Sequence, residues 1–521
     1  MSFDAAYAAL KAQHLGDRVR RFPGSSATVA LAAQELGTAE GAIAKTMALL
    51  GPDGPILVLA AGDRKIDGGS FKRTFHFKPK FVPGTDVEAL VGHAPGGVWP
   101  FGRHEGIPVW LDRSLLSHAE VWPACGDDAS GVRLTPEELY RAAGAADVTL
   151  YGVVDYGLQY THVDSDKANT DAVDNFQLSS GNQSGARFGL KGSEDLGNGV
   201  KAGFHLENGF SADTGSLAQN SRLFGREARL FVNGAFGEVA FGRMGTLGSA
   251  NGTYGLLGNL SPFGASWVGA VEYSTYYVGG IRADNTVTYK TPTFAGVTVY
   301  AQYSFETNTK QEENLDATEG KASANRYYAL GATYKAAGFD LAAVVDSYNW
   351  SSTFTKKDAD LDDGLSVTLG GSYDFEVAKV FLSGQYFDNM IGNDKSQPNS
   401  DPVDAGKSDS FYSFSSYFGN QNPIEGYALQ AGVSAPVAGG TAMFAVGYTD
   451  AEEANSEADQ AKVEFKRIGT SVGYTYSLSK RTNLYGVAAY YRDSVKNEGH
   501  EAGADRDPST VTVYAGIRHT F

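Results

Sequence analysis

The eleven residues Gly92-His93-Ala94-Pro95-Gly96-Gly97-Val98-Trp99-Pro100-Phe101-Gly102 combine glycines that permit close backbone approach with prolines that stiffen the path. Such a segment is a candidate pocket wall, and a tight structural loop has the same composition. Five histidines in the same region, His14, His76, His93, His104 and His118, show no metal-ligand spacing among themselves or with Cys125. Neither a Gly-rich phosphate loop nor a Gly-x-Ser-x-Gly elbow occurs, so no metal or cofactor is expected. Further along, Arg187, Lys191, Lys201, Glu227, Arg229, Lys290 and Arg518 share one parity of alternating segments. On strands, each would lie on the same face, where charges can select ions by sign. Any one of them could equally be a solvated wall residue.

The elements that must position these groups fall into two parts. The chain of 521 residues is long for one domain, and its composition changes near residue 145. Residues 1–144 carry 15 basic against 16 acidic side chains, so the formal net charge of −17 resides almost wholly in the remainder. That remainder is rich in Tyr, Phe, Gly, Asn, Ser and Thr, whereas the first part has the Ala, Leu, Val and Pro content of an α/β domain. Domains are therefore expected at 1–144 and 145–521. The single cysteine excludes a disulfide within the chain. No run approaches 18 consecutive apolar residues, so a transmembrane helix is excluded by length.

In the second part, Val148, Leu150, Gly152, Val154, Tyr156, Leu158 and Tyr160 occupy one parity, and Thr149, Tyr151, Val153, Asp155, Gly157 and Gln159 the other. The pattern returns at 200–207, 297–306 and 511–521. Segments of about ten residues with this period, joined by alternating short turns and long polar loops, are the signature of a membrane β-barrel. A soluble β-sandwich would also alternate. Tyr and Phe near segment ends, suited to interfacial girdles, favour the barrel.

The segments SGARFGLKGSEDLGNGVKAGFHLENGF (184–210), FGREARLFVNGAFGEVAFGRM (224–244), NTVTYKTPTFAGVTVYAQYS (285–304), YSLSKRTNLYGVAAYYR (476–492) and the terminal GIRHTF resemble the trimeric general porins of Gram-negative bacteria. The resemblance covers about 147–521. It implies an all-β transmembrane barrel of about 16 antiparallel strands, passive diffusion of small hydrophilic solutes and ions, a homotrimer in outer-membrane lipid, and a terminal Phe521 read by the assembly machinery. It also implies a lumen arginine at Arg243, whereas parity groups Arg243 with Val239 and Phe241; a β-bulge at Gly242 would reconcile the two. Thr288 and Lys290 stand where many relatives carry arginine and aspartate. The implied constriction loop is the long segment 244–277, whose one acid is Glu272. An acidic surface would repel anions at a distance and a basic eyelet attract them locally, so charge preference stays open.

The first part alternates helix and strand. Helices are expected at 2–14, 27–36, 67–74, 85–91 and 135–143, and strands at 56–61, 79–82 and 108–112, which gives an α/β or α+β class. Thr135 is a good N-cap for the last helix, with Pro136 at its first position.

IAKTMAL (43–49), AAGDRKID (60–67), VGHAPGGVWPFG (91–102), PVWLDRSL (108–115) and LTPEEL (134–139) resemble the YbaK/ProX family of aminoacyl-tRNA deacylases, in order and across nearly all of 1–144. This implies a mixed sheet with helices and the hydrolysis of mischarged aminoacyl-tRNA without metal. Lys45 would then be catalytic. Gly96, Gly97, Val98, Pro100, Phe101 and Gly102 would hold the carbonyl and terminal adenosine, with the tRNA 2′-hydroxyl assisting. A lysine at a pocket mouth can fix phosphate or ribose oxygens while backbone N–H groups stabilise an oxyanion. The alternative for Lys45 is a structural ion pair. Arg18, Arg20, Arg21, Lys72, Arg73, Lys78 and Lys80 are candidate phosphate contacts, or solvated faces of surface elements.

The two resemblances point to different compartments, cytoplasm for the first part and outer membrane for the second. Residues 1–22 lack the basic and apolar regions of a secretory signal. Ala143-Gly144-Ala145 resembles a cleavage site, but a soluble domain stands where the apolar segment should be. Poor delivery of the barrel is the expectation.

Overall fold

The computed structural model describes residues 3–12, 15–26, 28–52, 54–75, 77–93, 98–100, 107–143, 147–166, 171–197, 199–264, 267, 282–307, 309, 319–320, 324–350, 362–390, 423–454, 462–498 and 505–521. They divide into two compact units, one essentially up to Asp147 and the other from Val148 onward.

In the first unit the expected helices appear as Phe3–Ala12, Val29–Leu36, Gly68–Phe75, Val87–Val91 and Pro136–Ala142. A four-stranded mixed sheet runs in the order Val109–Leu111, Gly54–Ala61, Ile43–Gly51, Trp122–Pro123. Its two long strands are antiparallel and each outer strand is parallel to its neighbour. No strand is expected from the sequence at 43–51, yet this strand is central. Ala44, Ala48, Leu57 and Leu59 face the larger core with Leu10, Trp99 and Leu139, while Leu49, Ile56 and Val58 pack under Phe71 of helix Gly68–Phe75. Burial on both faces erases the alternation that marks a half-exposed strand. The strand expected at 79–82 reduces to a single bridge between Phe81 and Leu49.

The last helix is held by a reciprocal cap. The Glu138 N–H donates to Thr135 Oγ1 at 3.2 Å, and the Thr135 N–H donates to Glu138 Oε2 at 2.9 Å. That hydrogen bond, with a further one from Arg18, holds the Glu138 carboxyl below its ordinary range. Thr135→Ala should lower the stability of this unit by about 1 kcal/mol, the usual worth of such a cap, read as a shifted denaturant midpoint at unchanged slope.

The second unit is a closed antiparallel barrel. Its wall begins with the strand Asp147–Asp164, against which both Val173–Ser180 and Arg187–Gly197 pair, so that two strand segments form one stave. Closure comes from the final strand, Ser509–Thr520, which pairs with the first in a register that sets Ala515 opposite Leu158 and Arg518 opposite Asp155. The result is a wall of 16 staves. Leu150, Leu158, Val513 and Ile517 are exposed, whereas Gln159, Thr161, Thr512 and Tyr514 are buried. Apolar side chains outside and polar ones inside invert the arrangement of a soluble sandwich and match a hydrocarbon surrounding. The C-terminal Phe521 pairs by two 3.1 Å backbone hydrogen bonds with Gly152. A Cβ at Gly152 would lie 2.2 Å from the Phe521 ring, so only glycine admits the ring there.

Candidate functional site

The chain leaves the wall after strand Gly237–Gly245 and turns inward. Leu247, Tyr254, Leu257 and Leu260 pack against Ala240, Ala342, Val344 and Ala428, while Phe263 and Trp267 pack against Met443, Ala445, Tyr485, Val487 and Tyr514. These partners sit on strands spread around the ring, so residues 246–264 must cross the interior. No residue of that stretch is charged. Residues 265–266 and 268–281, including Glu272, lie outside the described residues.

Charged wall residues hold the crossing stretch in place. Glu227, almost wholly buried, accepts from the Thr253 N–H at 2.6 Å and from Thr253 Oγ1 at 2.9 Å, and pairs with His205. Arg229 donates to Tyr254 Oη at 3.2 Å, and that hydroxyl donates to Glu238 at 2.6 Å. Arg282 donates to Asn251 Oδ1 at 3.2 Å. On the far side, the Gly248 N–H donates to the Tyr327 hydroxyl, which donates to the buried Asp346 at 3.0 Å. Glu227 and Arg229 are thus anchors of the crossing segment rather than free charges. Thr288, also buried, accepts from Gln302 at 2.8 Å, and Gln302 in turn accepts from the Leu247 N–H.

Arg187 lies close enough to Arg226 and to Arg518 to be repelled by both. Arg226 pairs with Glu207 at 2.7 Å, and Arg187 donates to Ser184 Oγ at 2.6 Å. Asp155, opposite Arg518 in register, is already engaged by the Tyr485 hydroxyl at 2.5 Å and by the N–H groups of Gln183 and Ser184. Arg518 Nε is buried with no hydrogen-bond partner among the described residues. A β-bulge does interrupt the ladder between Gly242 and Met244, with Gly242 at φ 120°. Beyond it Arg243 donates to the Gly225 carbonyl at 2.8 Å and to Asp284 at 2.6 Å, and Asp284 also binds Arg222 at 2.9 Å. Lys191 and Lys201 are exposed; the ammonium of Lys191 lies 5.4 Å over the ring of Tyr151, whose hydroxyl donates to Glu207 at 2.7 Å. Lys290 lies opposite Glu238 in register. Parity reasoning missed Arg222 and Arg226, which precede a strand, and Arg282, which begins one beside an irregular register, because a period of two has no meaning outside a regular ladder.

In the first unit, a cavity of about 180 Å³ is lined by Val29, Ala32, Leu36, Ile43 and Trp122 together with Thr28, Thr46 and Ser130, and both Lys45 and Val98 reach it. Thr46 Oγ1 is buried with no hydrogen-bond partner among the described residues. Lys45 Nζ donates to the Gly62 carbonyl at 3.0 Å and to the Arg64 carbonyl. Burial lowers its pKa, Asp63 nearby opposes that, and Lys65 adds to it. Pro100 and Trp99 are buried, Trp99 within the main core. Gly96, Gly97, Phe101 and Gly102 lie outside the described residues.

A closed β-barrel with lipid-facing apolar residues and an inward-folded segment narrowing a charged interior defines a membrane pore. The family model described as Gram-negative porin matches residues 141–496, and the chain belongs to that family. An outer membrane porin protein of Bordetella pertussis is 33% identical over 399 residues, covering 73% of this chain and 96% of the relative. Among solved structures, the anion-selective porin from Comamonas acidovorans is 27% identical, covers 72% of this chain and 100% of its own, and superposes with a TM-score of 0.51. Residues 24–142 match the aminoacyl-tRNA editing domain. An uncharacterised protein of Bacillus subtilis, YwhH, is 43% identical over 122 residues, covering 23% of this chain and 78% of the relative.

Proposed function

We propose that the barrel, residues 145–521, conducts small hydrophilic solutes and ions by passive diffusion with a preference for anions, and that residues 1–144 hydrolyse mischarged aminoacyl-tRNA. The observation that carries the first part is the inner wall facing an uncharged crossing segment. Arg187, Arg222, Arg226, Arg229, Arg243, Arg282 and Arg518 lie along that wall, with Asp155, Glu207, Glu227, Glu238, Asp284 and Asp346 among them. The acidic remainder of the chain acts at longer range, and charges separated by more than about 8–10 Å are screened at physiological salt. The eyelet therefore decides the sign. The name of the Comamonas relative, an anion-selective porin, agrees with this reading. In planar bilayers with a KCl gradient, the reversal potential should carry the sign of chloride selectivity. A potassium-selective sign would overturn the preference while leaving the pore intact.

The barrel acts as a homotrimer in the outer membrane, and Phe521, the residue after the closing strand, is the one its assembly machinery reads. For residues 1–144, the cavity shared by Lys45 and Val98 supports the hydrolytic reading. Its small apolar wall suits an amino-acid side chain, and its hydroxyls suit a polar backbone. Aminoacyl-tRNA is the substrate, the tRNA 2′-hydroxyl assists, and the reaction belongs to the cytoplasm. A second reading, a porin whose first part is inert, is favoured by one observation. Two donors of Lys45 are engaged by backbone carbonyls, as a structural lysine would be.

A further inference from the structure

Helix Gly68–Phe75 covers the sheet face that carries Lys45, Met47, Val58 and Trp110, but covers it incompletely. Cross-strand pairs share a face, and Met47 pairs with Val58, which pairs with Trp110. Phe71, Phe75 and Phe77 form a ring cluster there, with centroids 4.4 Å apart for Phe71 and Phe75, and Phe75 meets Trp110 edge-on at 5.2 Å. Phe71 closes the core below, whereas Trp110 remains 49% exposed at the cluster's edge. A single exposed indole is ordinary on a protein surface, so a role for this one has to come from its surroundings.

The charges around it supply one. Lys72 lies one turn before Phe75, and Lys78 and Lys80 alternate with Phe77 along the chain that follows. All three ammonium groups are exposed and form no ion pair among the described residues. Asp67 accepts from the Ser70 N–H at 2.7 Å and feels the charge of Arg73, and Asp112 accepts from the Ser114 N–H at 2.9 Å, so both serve helix starts and neither pairs with these lysines. Aromatic faces beside unpaired cations are the two components by which proteins hold unpaired nucleotides, bases on the rings and phosphates on the cations. Lys45 lies on the same sheet face two strands across from the Trp110 strand, so the two sites are roughly 10 Å apart laterally.

We infer that this aromatic and cationic surface docks single-stranded RNA, stacking a base on Trp110 and setting phosphates against Lys72, Lys78 and Lys80. The inference rests on the proposed tRNA substrate. It adds a docking surface that leads unpaired nucleotides toward Lys45, and its sequence tolerance follows from stacking, since every base has a π-face. A paired stem presents no free base face, so duplex RNA gains only the electrostatic part.

The test is fluorescence anisotropy of the refolded full chain with a labelled eight-nucleotide single-stranded RNA, alongside deacylation of mischarged tRNA by the same preparations. Trp110→Ala should weaken oligonucleotide binding roughly five- to hundredfold, the worth of one stacked base. Trp110→Phe should restore most of it, and K72E with K78E should weaken binding while flattening its salt dependence. The charge reversals leave the apolar cluster untouched, so they still decide the matter if Trp110→Ala unfolds. Equal affinity for wild type and all variants, or equal affinity for duplex and single strand, would overturn the docking surface. Deacylation that persists in that case would keep the editing reading. Trp110-dependent oligonucleotide binding in a chain that deacylates nothing would uphold the surface and sink the editing reading.

Discussion

Replacing Glu227 by alanine is expected to free the crossing segment and give a pore of higher and noisier single-channel conductance. This carboxylate accepts two hydrogen bonds from Thr253 and pairs with His205, and it is almost fully buried. Losing one partner of a buried, hydrogen-bonded charge costs on the order of 2–5 kcal/mol. The cost falls on the segment rather than on the wall, because the ladders on both sides of Glu227–Gly234 are made by backbone groups. Heat and denaturant resistance of the barrel should hence change little. Glu227→Gln keeps acceptor and shape but loses the charge facing His205 and Arg229, and should give an intermediate conductance. A conductance trace of Glu227→Ala that matches wild type would mean that the apolar contacts of Leu247, Leu257 and Phe263 hold the segment unaided.

Lys45→Met should reduce kcat/KM for deacylation by about 10²–10³-fold, the usual cost of one preorganised donor to a developing charge. Its structural contribution is of similar size but is read in stability rather than in rate. Each charge-assisted hydrogen bond to the Gly62 and Arg64 carbonyls is worth about 1–3 kcal/mol before discount for partial exposure. Activity and melting midpoint should therefore separate, with kcat/KM falling far more than stability accounts for. The sign of the pH effect follows from burial, which lowers the Lys45 pKa despite the opposing charge of Asp63. The ammonium is then lost at a lower pH than that of an ordinary lysine, so the alkaline fall of deacylation should begin earlier than in a free amine. Lys45→Arg should move that fall beyond the measurable range. A Lys45→Met protein that melts lower but keeps wild-type kcat/KM would assign the residue to the fold alone.

Much of this was legible in the residues because each signal was local. The alternation at 148–160 and 511–521 follows from a strand's period of two, and the outside of this barrel carries the apolar set from each. Thr135 and Glu138 lie three apart in sequence and cap each other as such spacing allows. Strand Ile43–Gly51 was hidden because both of its faces are covered. The direction of Arg243 hung on a bulge that only the neighbouring register defines.

By itself, then, the sequence determined the change of composition near residue 145, the alternating wall and the cap at Thr135. These depend on residues a few positions apart, whose geometry the backbone dictates. Only the tertiary structure decided that Glu227 and Arg229 anchor the crossing segment and that Arg187 meets Arg226 and Arg518. Closing the barrel joins Arg518 to Asp155 across more than 350 residues of chain, and folding residues 246–264 inward sets Thr253 against Glu227. Such encounters depend on ring closure and on where an irregular segment finds partners. No local period records either.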